Sequence, residues 1–209
     1  PYAVYADRIL GLRKMDRPGE PAEALKRGTA IHAAIERLVE TWPYDLPDDL
    51  EIQLAGFIQD ALREEGFEEA AMAREVPLSQ RMARFLGRFE RERRARGIEI
   101  LVEQSGRLTL DAPAGPFTVT AKADRIELDA HGAAIIDYKT GANPSAKQVI
   151  EGFAPQLPLT GAILAGGGFG NPSDPSALIY VRVIGRGEGG QVTDVSAPSR
   201  SNTLSAAQI

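Results

Sequence analysis

The chain has 209 residues, with 24 Lys and Arg against 29 Asp and Glu, a formal charge of −5 and no Cys. Without Cys there is no disulfide framework and no thiolate metal site, and a charged fraction of 25% excludes wholesale disorder. No apolar run approaches the roughly 20 residues of a membrane span, and the N-terminus lacks a signal-peptide pattern, so no membrane partner and a reduced, cytoplasmic setting are expected. The chain opens at Pro1 without an initiator Met. It is therefore expected to be a C-terminal fragment of a longer protein, folded as one domain over 1–209.

In chain order, residues 1–97 read as mainly helical. A short helix is predicted over residues 2–12, with Tyr5, Ile9 and Leu12 on one side. Ile31, Ala34, Ile35, Leu38 and Val39 form one stripe at helical spacing. Pro43 and Pro47 end that helix; Leu54, Phe57, Ile58, Ala61 and Leu62 repeat the spacing up to Gly66. A third helix carries Met82, Phe85, Leu86 and Phe89 and stops at Gly97. Residues 98–196 change period. Strands over 98–110, 117–128 and 133–139, separated by turns at 111–116 and 129–132, predict an antiparallel meander. A helix over 145–165, a flexible Gly-rich loop from Gly166, a buried strand over Ala177–Ile184 and a weak one over Gln191–Ser196 follow. Residues 197–209 read as an irregular tail. The fold class is α+β with a mixed sheet.

The chemistry gathers at the second turn. If the hairpin around Asp129–Gly132 is symmetric, Asp124 lies opposite Asp137, with Cβ atoms roughly 4.5–5.5 Å apart. Lys139, two residues on, faces the same side, whereas Ile136 and Tyr138 face the other. Two carboxylates at that separation repel unless a cation lies between them, and hard oxygen ligands suit Mg²⁺ or Mn²⁺. Gly28, His32 and Glu36 follow at four-residue spacing beside the first apolar stripe. Seven Arg between Arg81 and Arg96 (among them Arg84, Arg88 and Arg91) offer either a solvated helix face or a surface that tracks phosphates.

Four strings carry a resemblance in one order: Gly28-Thr29-Ala30-Ile31-His32, Ala123-Asp124-Arg125-Ile126, Ile136-Asp137-Tyr138-Lys139-Thr140-Gly141 and Gln156-Leu157-Pro158-Leu159. Together they resemble the PD-(D/E)XK nuclease domain of the RecB and AddB type, and the opening Pro1-Tyr2-Ala3-Val4-Tyr5-Ala6 resembles the start of the AddB C-terminal nuclease domain. The resemblance implies an αβββαβ restriction-endonuclease-like core with additional N-terminal helices, and a Mg²⁺-dependent deoxyribonuclease, an exonuclease in which Mn²⁺ can substitute. It implies metal ligation by His32, Asp124, Asp137 and the backbone carbonyl of Tyr138. It gives Lys139 the role of orienting the attacking water and stabilising phosphate charge, and gives Gln156 that of holding Lys139 or the phosphate. Arg125 is expected to support Asp124 or to contact DNA with Arg84, Arg88 and Arg91. The implied partners are a DNA single strand threaded from a helicase and an AddA-type helicase–nuclease subunit, in double-strand-break repair and recombination.

Three departures qualify the resemblance. Thr160 stands where relatives carry a Tyr four residues after the Gln. No Cys is present for the iron–sulfur staple of some AddB-type domains, so no cluster is expected in this fragment. No Walker motif occurs, so translocation would come from elsewhere. Two other readings stay open: a degenerate nuclease fold that only binds DNA or scaffolds a complex, and a stand-alone RecB-like exonuclease. A small-molecule enzyme or a calcium module would have no need of Lys139 beside the carboxylates.

Overall fold

The computed structural model describes residues 21–130, 132–198 and 203–209. The helix predicted over residues 2–12, the opening motif and His131 lie outside them. Among the described residues three helices come first: α1 (Pro21–Thr41), α2 (Leu50–Glu64) and α3 (Glu69–Arg94). Strands β1 (Glu99–Leu110), β2 (Phe117–Asp129) and β3 (Gly132–Lys139) follow, then short helices α4 (Ala146–Ile150) and α5 (Gln156–Ala165), then β4 (Pro175–Val183) and β5 (Gly190–Asp194). The five strands form one sheet in sequence order. Only β3 and β4 pair in parallel; the other neighbours are antiparallel. The α+β class and the mixed sheet are those expected from the sequence.

The sheet separates two cores. On one side the α1 stripe Ala30, Ile31, Ala34, Ile35, Leu38 and Val39 packs with Leu50, Leu54, Ile58 and Leu62 of α2 and Met82, Phe85, Leu86 and Phe89 of α3. These lie against Ala134, Ile136, Tyr138, Val181 and Val183 of the sheet. Each buried Leu or Ile stabilises this layer by about 1.5–3 kcal/mol, which sets the position of α1, and hence of His32, over the strand ends. On the other side α5, through Leu157 and Leu164, covers Ile126, Ile135, Leu178 and Tyr180. Ala206, in a single 3₁₀ turn over Ala206–Gln208, closes the edge of that core.

Two expectations change. The helix predicted over 145–165 is two helices, because Gly152 takes a left-handed conformation (φ +77°) and Pro155 starts a new N-terminus. Both the Phe153 and Ala154 N–H groups donate to the Gln148 carbonyl (2.8 and 3.1 Å), which fixes the turn. The Gly-rich loop after α5 is pinned rather than loose: the Gly168 carbonyl accepts from the Arg107 N–H at 3.2 Å, and Phe169 packs over Gly106 of β1. Among the described residues no helix is long and apolar enough to cross a membrane.

Candidate active site

The β2–β3 ladder runs from Asp129↔Gly132 to Arg125↔Ile136 and stops there. The next position along each strand is Asp124 and Asp137. Backbone pairing gives way at this point, and the Tyr138 N–H donates to Asp124 Oδ2 at 2.9 Å. Ile126 and Ile135 belong to the second core, so Asp124 and Asp137, two residues further along, face the same side of the sheet. The intervening Arg125 and Tyr138 face the helices.

Lys139 brings its Nζ to 2.6 Å from Asp137 Oδ2 and donates to Gln156 Oε1 at 3.0 Å. Gln156 is the first residue of α5, so the break at Pro155 is what carries it to Lys139. An ammonium has three donors; two are directed here, and a third is available to a substrate oxygen.

His32 arrives from α1. Its Nε2 lies 3.2 Å from the Tyr138 carbonyl oxygen, and its Nδ1 lies 3.6 Å from Glu103 Oε1 and 3.7 Å from Asp124 Oδ2. With the Nε2 proton donated to the carbonyl, Nδ1 presents a lone pair to two carboxylates. Those last distances are too long for hydrogen bonds. They suit atoms that share one ion, since ligands about 2.1 Å from a cation lie within roughly 4 Å of one another. The ligand atoms of His32, Glu103 and Asp124 all fall within 4.8 Å.

Glu103 had no role in the sequence reading. It sits within β1 with a φ of +51°, a strained value for a non-glycine residue in a strand. Its flanking pairs, Val102↔Arg125 and Gln104↔Ala123, place it opposite Asp124. Its other oxygen is 2.6 Å from Lys122 Nζ. The signal was available: the turn over 111–116, treated as symmetric like the second turn, brings Glu103 to Asp124.

Burial raises the pKa of Asp124, opposed mainly by His32 and by the Tyr138 N–H. Asp137 is pushed up to about 6, first by burial and then by the neighbouring Asp124 charge, with Lys139 pulling the other way. Asp137 Oδ1 is buried with no hydrogen-bond partner. A buried carboxylate oxygen without a donor, a histidine lone pair aimed at two carboxylates and a hard-oxygen donor set all fit a divalent cation.

A model of the PD-(D/E)XK nuclease superfamily matches residues 1–207. The chain belongs to that superfamily. Relatives in Rickettsia bellii and Rickettsia conorii, both described only as uncharacterized proteins, are 26% and 29% identical over 94% and 86% of this chain. The chain spans about a quarter of the length of these relatives (26% and 22%). The crystal structure of SSO0001 overlays with a TM-score of 0.36 at 13% identity, covering 80% of this chain and 77% of that one; so weak a likeness carries no weight.

Within this PD-(D/E)XK domain the arginines divide. Arg125 is fully buried. It pairs with Glu90 and with Glu127 (2.8 Å to Oε1), donates to the Tyr138 hydroxyl at 3.2 Å and lies over the Phe89 ring. This corrects the expectation that it contacts DNA: no phosphate reaches it. Burial alone would lower its pKa, but Tyr138, Glu90 and Glu127 more than offset that and leave it raised. Of the seven-Arg run, Arg93 and Arg94 also turn inward, to Glu127 and Glu90. Arg84, Arg88 and Arg91 lie on the exposed face of α3; Arg91 is held on Glu51 of α2, and Arg88 lies 3.9 Å from Glu188. Thr160, at the position of the family's Tyr, is buried and donates to the Gln156 carbonyl at 2.9 Å, so its hydroxyl is used within α5 and presents nothing to a ligand.

Proposed function

We propose that this domain is a metal-dependent deoxyribonuclease that hydrolyses phosphodiester bonds in a DNA strand, as the nuclease part of an AddB-like subunit. The observation that carries the reading is the meeting of Asp124, Asp137, Lys139 and His32 where the β2–β3 ladder ends, with Gln156 fixing Lys139. His32, Asp124 and Asp137 would hold a Mg²⁺ or Mn²⁺ ion, together with Glu103 and the Tyr138 carbonyl. Such an ion, when bound, acidifies water and withdraws charge from the phosphate. The chain's own residues do the rest. Lys139, oriented by Asp137 and Gln156, keeps a donor for the attacking water or a non-bridging phosphate oxygen, where charge grows in the transition state. His32 fixes the end of β3 through the Tyr138 carbonyl. The solvent-facing Arg84 and Arg88, with Arg91 on Glu51, offer the polyanion a basic outer surface.

In this reading the larger protein works beside an AddA-type helicase–nuclease that feeds it a single strand, in double-strand-break repair and recombination. The resemblance of the four ordered motifs supports that context. Mg²⁺-dependent cleavage of single-stranded and duplex DNA, with Asp137→Ala as the control, tests the chemistry. Cutting that persists at wild-type rate in that variant would refute the assignment.

A further inference from the structure

A second feature adjoins the metal-binding cluster. A cleft of about 450 Å³ opens between the first turns of α1, the N-terminal half of α3 and the β4–β5 turn; Arg27, Arg74, Arg182 and Arg186 line it with Glu23, Glu75 and Thr140. Glu75 takes both hydrogen bonds of the Arg27 fork, at 2.6 and 3.1 Å, so that pair is self-contained. The remaining cations are not matched. Arg74 and Arg186 are exposed and their side chains make no hydrogen bond or ion pair among the described residues. Arg182 Nε is buried without a hydrogen-bond partner.

The backbone that carries Arg182 and Arg186 is held in place. Arg186 sits on a turn closed by hydrogen bonds from the Ile184 and Gly185 N–H groups to the Gly189 carbonyl, both 3.0 Å. That turn is seated on α3: a Cβ at Gly189, whose φ is +90°, would come within 2.3 Å of the Arg81 carbonyl oxygen. Arg182 is the β4 partner of Lys139. The cleft also shares its walls with the metal-binding cluster. Thr140 follows Lys139 directly, Arg27 precedes His32 on α1 by about 7.5 Å of helix rise, and the two walls meet where Gly28 faces Thr140 Oγ1. Four guanidiniums against two carboxylates, Glu23 and the Arg27-paired Glu75, leave the cleft with an excess of positive charge that suits phosphate oxygens.

Resting on the nuclease reading above, we infer that this cleft holds a phosphate of the same DNA strand next to the scissile one, gripped by Arg74, Arg182 and Arg186. The group is either an internal phosphodiester or a terminal phosphate, and oligonucleotides with and without terminal phosphates separate the two. The probe is a fluorescent single-stranded oligodeoxynucleotide, titrated by anisotropy in EDTA over a range of salt concentrations, followed by steady-state cleavage in Mg²⁺. Arg74→Ala and Arg186→Ala remove exposed side chains that make no hydrogen bond or ion pair among the described residues, so the melting temperature is expected to stay unchanged; Arg63→Ala on α2 is the control. Each cleft variant is expected to lower the salt slope by about 0.7, the value for one lost single-strand phosphate contact. Each is also expected to raise KM several-fold with kcat held. A terminal-phosphate effect that disappears in these variants assigns the cleft to the chain end; equal losses on both oligonucleotides assign it to an internal phosphodiester. An unaltered salt slope and KM in the Arg74→Ala/Arg186→Ala double variant, beside a wild type that binds and cuts, overturns the cleft while leaving the nuclease reading intact. A wild type that neither binds nor cuts DNA removes that reading, and the inference with it.

Discussion

Two ionic clusters lie back to back across β2 and β3, separated only by the strand backbone. Facing the helices, the guanidiniums of Arg93, Arg94 and Arg125 meet the carboxylates of Glu90 and Glu127, and the Tyr138 hydroxyl and the Trp42 and Tyr44 carbonyls take further donors. Facing the other way, Glu103, Asp124 and Asp137 meet Lys139 and the more exposed Lys122. Neighbours in sequence supply opposite clusters: Asp124 beside Arg125, Asp137 beside Tyr138. The helical cluster is deeper in the protein; it holds three guanidiniums against two carboxylates, and each of these groups sits in an ion pair, although Arg94 Nη2, Arg125 Nε and Glu127 Oε1 make no hydrogen bond. The other holds more negative than positive charge, leaves Asp137 Oδ1 without a donor and pushes the Asp137 carboxyl up to about 6. Burial of charge alone does not mark a functional site here; an excess of negative charge on carboxylates that face one another does.

The contrast is sharpest if each cluster is broken separately. Asp137→Ala should reduce cleavage by at least about 10²–10³-fold, the scale of removing an essential electrostatic group, while the urea midpoint does not fall. Arg125→Ala should do the reverse. It strands Glu90 and Glu127 in the interior and should cost about 3–5 kcal/mol of stability in urea unfolding, whereas the residual folded protein keeps its metal affinity. A variant at Arg125 that lost metal binding but not stability would show that the clusters are one unit. Smaller again is Glu103→Gln, which keeps the shape of the side chain and removes its charge. Mn²⁺ affinity by calorimetry should weaken about 10-fold, within the range seen when a group tuning a metal site is altered; unchanged affinity would remove Glu103 from the donor set.

The same contrast shows what the sequence could reveal. The hairpin register was legible because a four-residue turn leaves little freedom, and the observed ladder keeps the symmetric pairing up to Arg125↔Ile136. Glu103 was legible by the same argument but hidden in a strand read only for its apolar alternation, and its positive φ is a tertiary outcome with no local signature. Arg125 was misread because its partner Glu90 lies 35 residues away on α3. An Arg next to a candidate ligand looks like a phosphate contact until the helix that covers it is placed. The break between α4 and α5 was written in Gly152 and Pro155, but the apolar residues around them suggested one continuous helix.

The smallest effect concerns the carboxyl that ties imbalance to stability. In the metal-free protein Asp137 titrates near 6 instead of the ordinary 3.8, because burial and the Asp124 charge disfavour its ionised form more than Lys139 favours it. Between those two pH values the folded state binds more protons than the unfolded state, so unfolding free energy falls as pH rises through that window. The folded protein then carries a buried charge at neutral pH that only a cation relieves. Asp137→Asn removes the charge and keeps the shape. At pH 7–8 without metal the variant should be more stable than wild type, and the gap should close below about pH 4, where both are neutral. Added Mn²⁺ should raise the melting temperature of the wild type alone. Its apparent affinity should fall as pH drops below about 6, because the proton competes for the same oxygen atoms. An Asn variant that melts below wild type at pH 8 would mean that the Lys139 pair stabilises the ionised carboxylate more than burial penalises it, and both clusters would then hold their buried charges by pairing alone.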